Sequence, residues 1–236
     1  MEQLLNKITK EFFGKEFTCK IFSNGITLAA KDNSKAFYIG LISDSCSFRV
    51  RENIYVIKRF QEVETILQPL LKKNKLKQGD AEMKVYGVDF KGTIKKAMPM
   101  KNIAAVDASF IENMTDIDDE NESQIRQVLT GFKKAIEYLE DEFINRYNTL
   151  QQVYKALEQM TPDEQGKFLL TPAPIRFLAI EALCNPTRDL DSIFESTLNG
   201  YEEVDKELPG MFKDQYLVTL ELLRYFREQK QGLNHK

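Results

Sequence analysis

The chain has 236 residues, enough for one large domain or two small ones, and its 42% hydrophobic and 29% charged content is that of a globular protein, not a disordered one. The single histidine, His235, is next to last. This removes the commonest general base, the commonest metal ligand and every Ser-His or Cys-His nucleophile, so the expectation is a non-enzymatic protein with no metal and no cofactor.

No apolar run approaches the roughly 18–20 residues of a membrane-spanning helix. The opening MEQLLNKITKEFF is amphipathic and contains acids, unlike a secretory signal. Cys19, Cys46 and Cys184 are an odd, widely spaced set without a CxxC pair. They are expected to be buried thiols in a reducing compartment, which points to the cytoplasm. Residues 1–101 hold 19 Lys+Arg against 11 Asp+Glu, a balance of +8, whereas residues 102–236 hold 14 against 25, a balance of −11. Such a split suggests two differently employed surfaces, or halves that attract each other.

In chain order, Leu4, Leu5, Ile8, Phe12 and Phe13 predict a first helix over residues 2–13, ended by Gly14. Phe17, Cys19 and Ile21 alternate, Ser23-Asn24-Gly25 marks a primed hairpin turn, and Ile26, Leu28 and Ala30 resume the alternation. After a second turn at 31–34, Phe37, Ile39 and Leu41 mark a third strand. Cys46, Phe48 and Val50 mark a fourth, with Ser47, Arg49 and Arg51 on its other face. Phe60, Val63, Ile66, Leu67, Leu70 and Leu71 predict a second helix, in which Pro69 should force a break or restart. A fifth strand is expected over about 82–91 with a bulge at Gly87, and one more over 103–111. The order is α-β-β-β-β-α-β.

The stretch 115–121 reads as an exposed acidic connector. Beyond it, Ile125, Leu129, Phe132, Ile136, Leu139, Phe143, Tyr147, Leu150, Tyr154 and Leu157 recur at spacings 4-3-4-3-4-4-3-4-3. This seam has one stutter, between Phe143 and Tyr147, and predicts a helix over about 122–160, roughly 58 Å long at 1.5 Å per residue. Thr161-Pro162-Asp163-Glu164 opens another helix, Pro174 a further one through Leu183, and Asn185-Pro186 another through about Leu208. Phe212, Tyr216, Leu220, Leu223 and Phe226 line a last one. The expected class is α+β: a basic domain of residues 1–101 with an antiparallel sheet flanked by helices, a linker of 102–121, and an acidic helical bundle of 122–236 with one long helix.

Three candidate chemistries arise. Arg49, Arg51, Lys58 and Arg59 near one sheet edge, with a second cluster at Lys72, Lys73, Lys75 and Lys77, could neutralise phosphates while Tyr38 or Tyr55 stacks a base. The lysines close the second helix, whereas in double-stranded RNA-binding domains they open it. Glu82-Met83-Lys84 is an acid-x-Lys triplet, but it follows the second helix and lacks the companion acid that a metal-dependent nuclease of the PD-(D/E)xK kind needs on an adjacent strand. Asp116, Asp118 and Glu120 alternate as in a calcium loop, yet Asn121 and Gln127 occupy the positions an EF-hand gives to glycine and a bidentate glutamate. The last signal is the seam itself. Phe132, Leu139, Phe143, Tyr147 and Tyr154 either form the spine of the bundle or face a homodimer or another protein. The leading expectation is a protein-protein interaction or adaptor protein, with nucleic-acid binding by residues 1–101 as the alternative.

Overall fold

The alternation read in residues 17–51 folds as an antiparallel meander. A computed structural model of the chain describes residues 2–44, 46–76, 92–99, 102 and 116–233. Its elements are α1 (Glu2–Phe13), β1 (Phe17–Phe22), β2 (Gly25–Ala30), β3 (Lys35–Ser43), β4 (Ser47–Lys58), α2 (Gln61–Lys73), β5 (Ile94–Pro99), β6 (Ile117–Asp118), α3 (Glu122–Leu139), α4 (Leu150–Leu157), α5 (Pro162–Phe168), α6 (Ala173–Cys184), α7 (Leu190–Glu207) and α8 (Lys213–Leu233). The class is α+β, an N-terminal antiparallel sheet with helices followed by a mainly helical region. Contacts divide the chain into two compact units. The first comprises Met1–Arg59 and Ala81–Asn148, the second Phe60–Asp80 and Thr149–Lys236.

In the first unit the sheet runs β1-β2-β3-β4-β5, with β6 also on β4. Phe22 pairs with Gly25, so Ser23-Asn24 form the first turn and Gly25 opens β2. The expected left-handed Asn-Gly turn is therefore displaced. Among the described residues, the non-glycine residues with positive φ are Asn33 at 57° and Lys75 at 54°. Gly25 answers a different need: a Cβ there would lie 2.5 Å from the Tyr38 ring. One face of the sheet buries Phe17, Ile26, Leu28, Phe37, Ile39, Leu41, Phe48, Val50, Ile54 and Val56. Phe17 stacks edge-on against Phe37 at 5.9 Å. α1 packs on β1 and on α3, adding Leu5, Ile8, Ile125, Leu129, Phe132, Ile136 and Leu139 to the core.

β4 is longer than its sequence signal and reaches Lys58. Ile39 pairs with Ile54 and Leu41 with Val50, so the single residue Gly40 faces Arg51, Glu52 and Asn53. This bulge adds two residues, an even number, and so both halves of β4 keep their apolar side on the core. The strands expected over 82–91 and 103–111 lie outside the described residues. β5 and the short β6 pair instead with β4, at Asn53–Lys58 and at Ser47 and Phe48. The acidic connector is less exposed than expected. Ile117 and Asp119 are buried, and Asn121 caps α3 by accepting the Gln124 N–H at 3.1 Å.

The helix expected over 122–160 is interrupted. α3 ends at Leu139, a wide turn follows over Glu140–Ile144 and a tight one over Asn145–Tyr147. Lys58 Nζ donates to the Ile144 carbonyl at 2.7 Å, and Lys35 pairs with Glu140. Thr149 then starts α4 with a capping box closed by Gln152. The four-residue stutter between Phe143 and Tyr147 falls on these irregular turns, where a continuous helix would have had to carry its apolar stripe off the core.

In the second unit α6 is the hub, packing against α2, α4, α5, α7 and α8. It buries Ile175, Arg176, Leu178, Ala179, Ile180, Glu181 and Ala182, as a helix apolar on most sides must. α2 runs unbroken through Pro69, whose ring is on the exposed side of the helix. Thr161 and Glu164 close the second capping box, at the start of α5. α7 begins one turn later than the Asn185-Pro186 signal, at Asp189, whose carboxylate accepts the Asp191 N–H at 3.1 Å. α7 and α8 are antiparallel: Tyr216 Oη donates to Glu202 at 2.9 Å near the tip, and Arg227 Nε to Asp191 at 2.9 Å at the far end.

The two units cut across the expected division at 102–121. α2 belongs with the C-terminal helices, and residues 117–148 belong with the sheet. Counted by unit, the first carries 19 Lys+Arg and 19 Asp+Glu, and the second 14 and 17. The charge asymmetry along the chain therefore does not survive as an asymmetry between compact units.

Candidate interaction surfaces

Two surfaces collect exposed charged and apolar residues beside aromatic rings. The first is the outer face of β3 and β4. Strand alternation places Arg49, Arg51, Asn53 and Tyr55 of β4 beside Tyr38, Gly40 and Ile42 of β3, around a depression of about 530 Å³. Tyr38 is buried, and its hydroxyl donates to the Asn24 carbonyl at 2.7 Å, which fixes the ring. Burial pushes the Tyr38 phenol up, and the nearby Arg51 charge only partly offsets this. Tyr55 sits directly across from Tyr38, with ring centroids 6.2 Å apart. The stem of Arg51 lies over Gly40, where an added Cβ would stand 2.8 Å from Arg51 Cδ. Arg49 and Arg51 are exposed, and the ion pairs among the described residues include neither. Among the described residues, no carboxylate lines the depression.

Of the residues expected to bind phosphates, Arg49 and Arg51 are thus brought together, and both tyrosines with them. The others are not. Lys58 is spent on the Ile144 carbonyl, and burial, helped by Lys35, holds its ammonium below the ordinary lysine range. Arg59 is half-buried, with its Nε enclosed and lacking an acceptor. Lys72, Lys73 and Lys75 belong to the second unit. There Lys73 pairs with Glu221 at 2.7 Å, and Lys75 is exposed beyond the helix end. Lys77, and with it the Glu82-Met83-Lys84 triplet, lies outside the described residues.

The seam is not an open stripe. Phe132, Leu139 and Phe143 are buried in the first unit and Tyr154 in the second, while Tyr147 is half-buried against Phe143 at 5.5 Å. The cysteines also differ from expectation. Cys46 is exposed, and Cys19 and Cys184 are half-buried. Burial, aided by Glu62, pushes the Cys184 thiol up to about 11. Among the described residues no group of three or more His, Cys, Asp or Glu side chains could hold a metal ion, and no helix is long and apolar enough to cross a membrane.

The second surface is the tip of the α7–α8 hairpin. The large exposed hydrophobic residues among those described are Ile42, Leu208, Met211 and Leu217, at 41%, 54%, 57% and 40% exposure, so three of the four stand at this tip. They adjoin a cleft of about 560 Å³ lined by Tyr201, Glu202, Asp205, Gly210, Phe212, Lys213, Tyr216 and Leu217. Tyr201 and Phe212 stack at 5.5 Å. The turn is set by Gly210, at a φ of +81° that favours glycine, and by Asp205, whose carboxylate accepts the Gly210 N–H at 2.6 Å. The charged residues of the lining are Glu202 and Asp205 against Lys213, so the cleft carries one more acid than base.

Sequence reasoning passed over this tip because Leu208, Met211 and Leu217 look like core residues. The available signal was Pro209-Gly210, which marks a turn with apolar residues directly on either side. On the sheet, continuing the alternation past Arg51 would have reached Asn53 and Tyr55. The chain matches no protein-family model, and comparison with curated proteins and with solved structures finds no similar protein.

Proposed function

We propose that this is a non-catalytic interaction protein whose α7–α8 tip docks a basic amphipathic segment of another protein. The observation that carries this reading is the concentration of exposed Leu208, Met211 and Leu217 around a ring-lined cleft. Apolar side chains held in water at one place mark a surface that gains by being covered. Aromatic residues such as Tyr201, Phe212 and Tyr216 supply the contact area typical of binding hot spots. The acids of the lining select the partner's charge, and an amphipathic helix is the simplest element that presents apolar anchors and cations together.

A titration of the full chain with two labelled helical peptides tests the reading, one with a Leu/Lys pattern and one with a Leu/Glu pattern. The Leu/Lys peptide should bind, and Met211→Glu with Leu217→Glu should weaken it by about tenfold or more. Equal affinity for the two peptides, or no effect of the substitutions, would sink the reading. A second reading, recognition of nucleic acid, is favoured by Arg49, Arg51, Tyr38 and Tyr55 sharing one depression. It draws nothing from the lysines of α2.

A further inference from the structure

We infer that the outer face of β3 and β4 binds a single strand of nucleic acid, with Arg49 and Arg51 on phosphates and Tyr55 against a base. The site lies wholly in the first unit, and the inference does not rest on the docking role of the α7–α8 tip.

The lining itself limits the ligand. Two exposed guanidiniums, with no carboxylate among the described residues of the lining, favour an anionic ligand. Guanidinium forks match phosphate oxygens in pairs. Arg49 and Arg51 are two residues apart on one strand, roughly 7 Å at about 3.3–3.4 Å per residue. That step suits successive phosphates of an extended strand.

The rest of the lining is not that of a plain anion site. Tyr55 is half-buried, with one side backed by the fixed Tyr38 ring, and Ile42 is 41% exposed. The Tyr55 ring thus lies on the same strand face as the charges, and the Asn53 amide offers a donor and an acceptor for a base edge. A duplex keeps its bases stacked inside and could use only the arginines. An unpaired strand can use both the charges and the Tyr55 ring, which is how sheet surfaces read single strands.

The bulge and Gly40 make the arrangement. The two additional residues of β4 set Arg51 over a backbone that lacks a side chain, and its stem lies against Gly40. A methyl group at Gly40 would have to displace that stem.

Fluorescence anisotropy of the full chain, with fluorescein-labelled mixed-sequence 12-nucleotide RNA and DNA over a range of salt, is the test. Two phosphate contacts predict a log-log salt slope of about −1.4, and Arg49→Gln or Arg51→Gln should each remove about half of it. Tyr55→Ala should cost roughly tenfold to a hundredfold in affinity and leave the slope unchanged. Gly40→Ala, which changes no charge, should weaken binding through Arg51 alone. The variants' thermal melts report whether each remains folded. The inference is overturned if neither strand binds at low salt, or if the arginine variants bind as the parent does. It is equally overturned if duplex, heparin or a free mononucleotide binds as tightly as the strand.

Discussion

Arg176 has no exposed surface, and neither has Glu64, 112 residues away in the chain. The guanidinium donates Nε and Nη2 to the two Glu64 carboxylate oxygens at 3.1 and 3.2 Å. Its Nη1 donates to the Leu170 carbonyl at 3.1 Å and also to that of Thr171, and Gln68 donates to Glu64. A buried pair of this kind contributes little over an apolar replacement, but losing one partner strands the other charge. Arg176→Met is therefore expected to destabilise the fold by about 3–5 kcal/mol in urea unfolding, and the double variant with Glu64→Met should recover much of that loss. On the same helix, burial raises the Glu181 carboxyl despite the opposing charge of Arg188. A carboxyl with a raised folded pKa contributes stability that is full below its unfolded value, about 4.3, and is lost as pH climbs through the folded value. Glu181→Gln should accordingly be more favourable, relative to the parent, at pH 7 than at pH 4. A difference that runs the other way would mean Arg188 dominates.

Among the elements, the end of α3 shows how a local signal overrides a longer pattern. The seam from Ile125 to Leu157 reads as one helix, but Thr149 and Gln152 satisfy each other's backbone N–H groups and so make a new start more favourable than continuation. Thr149→Ala removes that cap and should cost about 1 kcal/mol, measurable by thermal or urea unfolding. No loss at all would show that the packing of Leu150, Val153 and Leu157 holds α4 in place by itself. α2 is the opposite case. Pro69 was expected to break it, yet the helix continues, because the ring is on the solvent side while Val63, Glu64, Leu67 and Leu71 are buried. A proline penalty of about 3 kcal/mol can be outweighed by that burial, since each large apolar side chain contributes roughly 1.5–3 kcal/mol. The meander was the most legible part, since alternation with turns at 23–24 and 31–34 specifies both faces of each strand. The bulge opposite Gly40 was not, because an even insertion leaves the alternation unchanged.

For the molecule as a whole, the division of the chain is the main correction to the sequence reading. A helix read as part of a basic N-terminal domain supplies Glu64 to the C-terminal helices, and the first 27 residues after Asn121 return to the sheet's unit. Fragments cut at the expected linker should therefore fail on both sides. Residues 122–236 alone would leave Arg176 buried without its carboxylate, and residues 1–101 would lack the apolar face of α3. We expect both fragments to show weak near-ultraviolet dichroism and to bind hydrophobic dyes, where the full chain does neither. Cooperative unfolding of either fragment alone would contradict this.

Sequence alone determined the class, most strand and helix positions, the capped start at Thr161, and the shared face of Arg49 and Arg51. Each of these depends on neighbours within a few residues, through alternation, helical spacing or a capping hydrogen bond. Only the tertiary structure decided which helices share a core, that the seam is buried in two pieces, that the lysines of α2 and the arginines of β4 belong to different units, and that Leu208, Met211 and Leu217 face water. Those outcomes depend on contacts between residues far apart in the chain, and an apolar residue carries the same local signal whether a distant partner covers it or not.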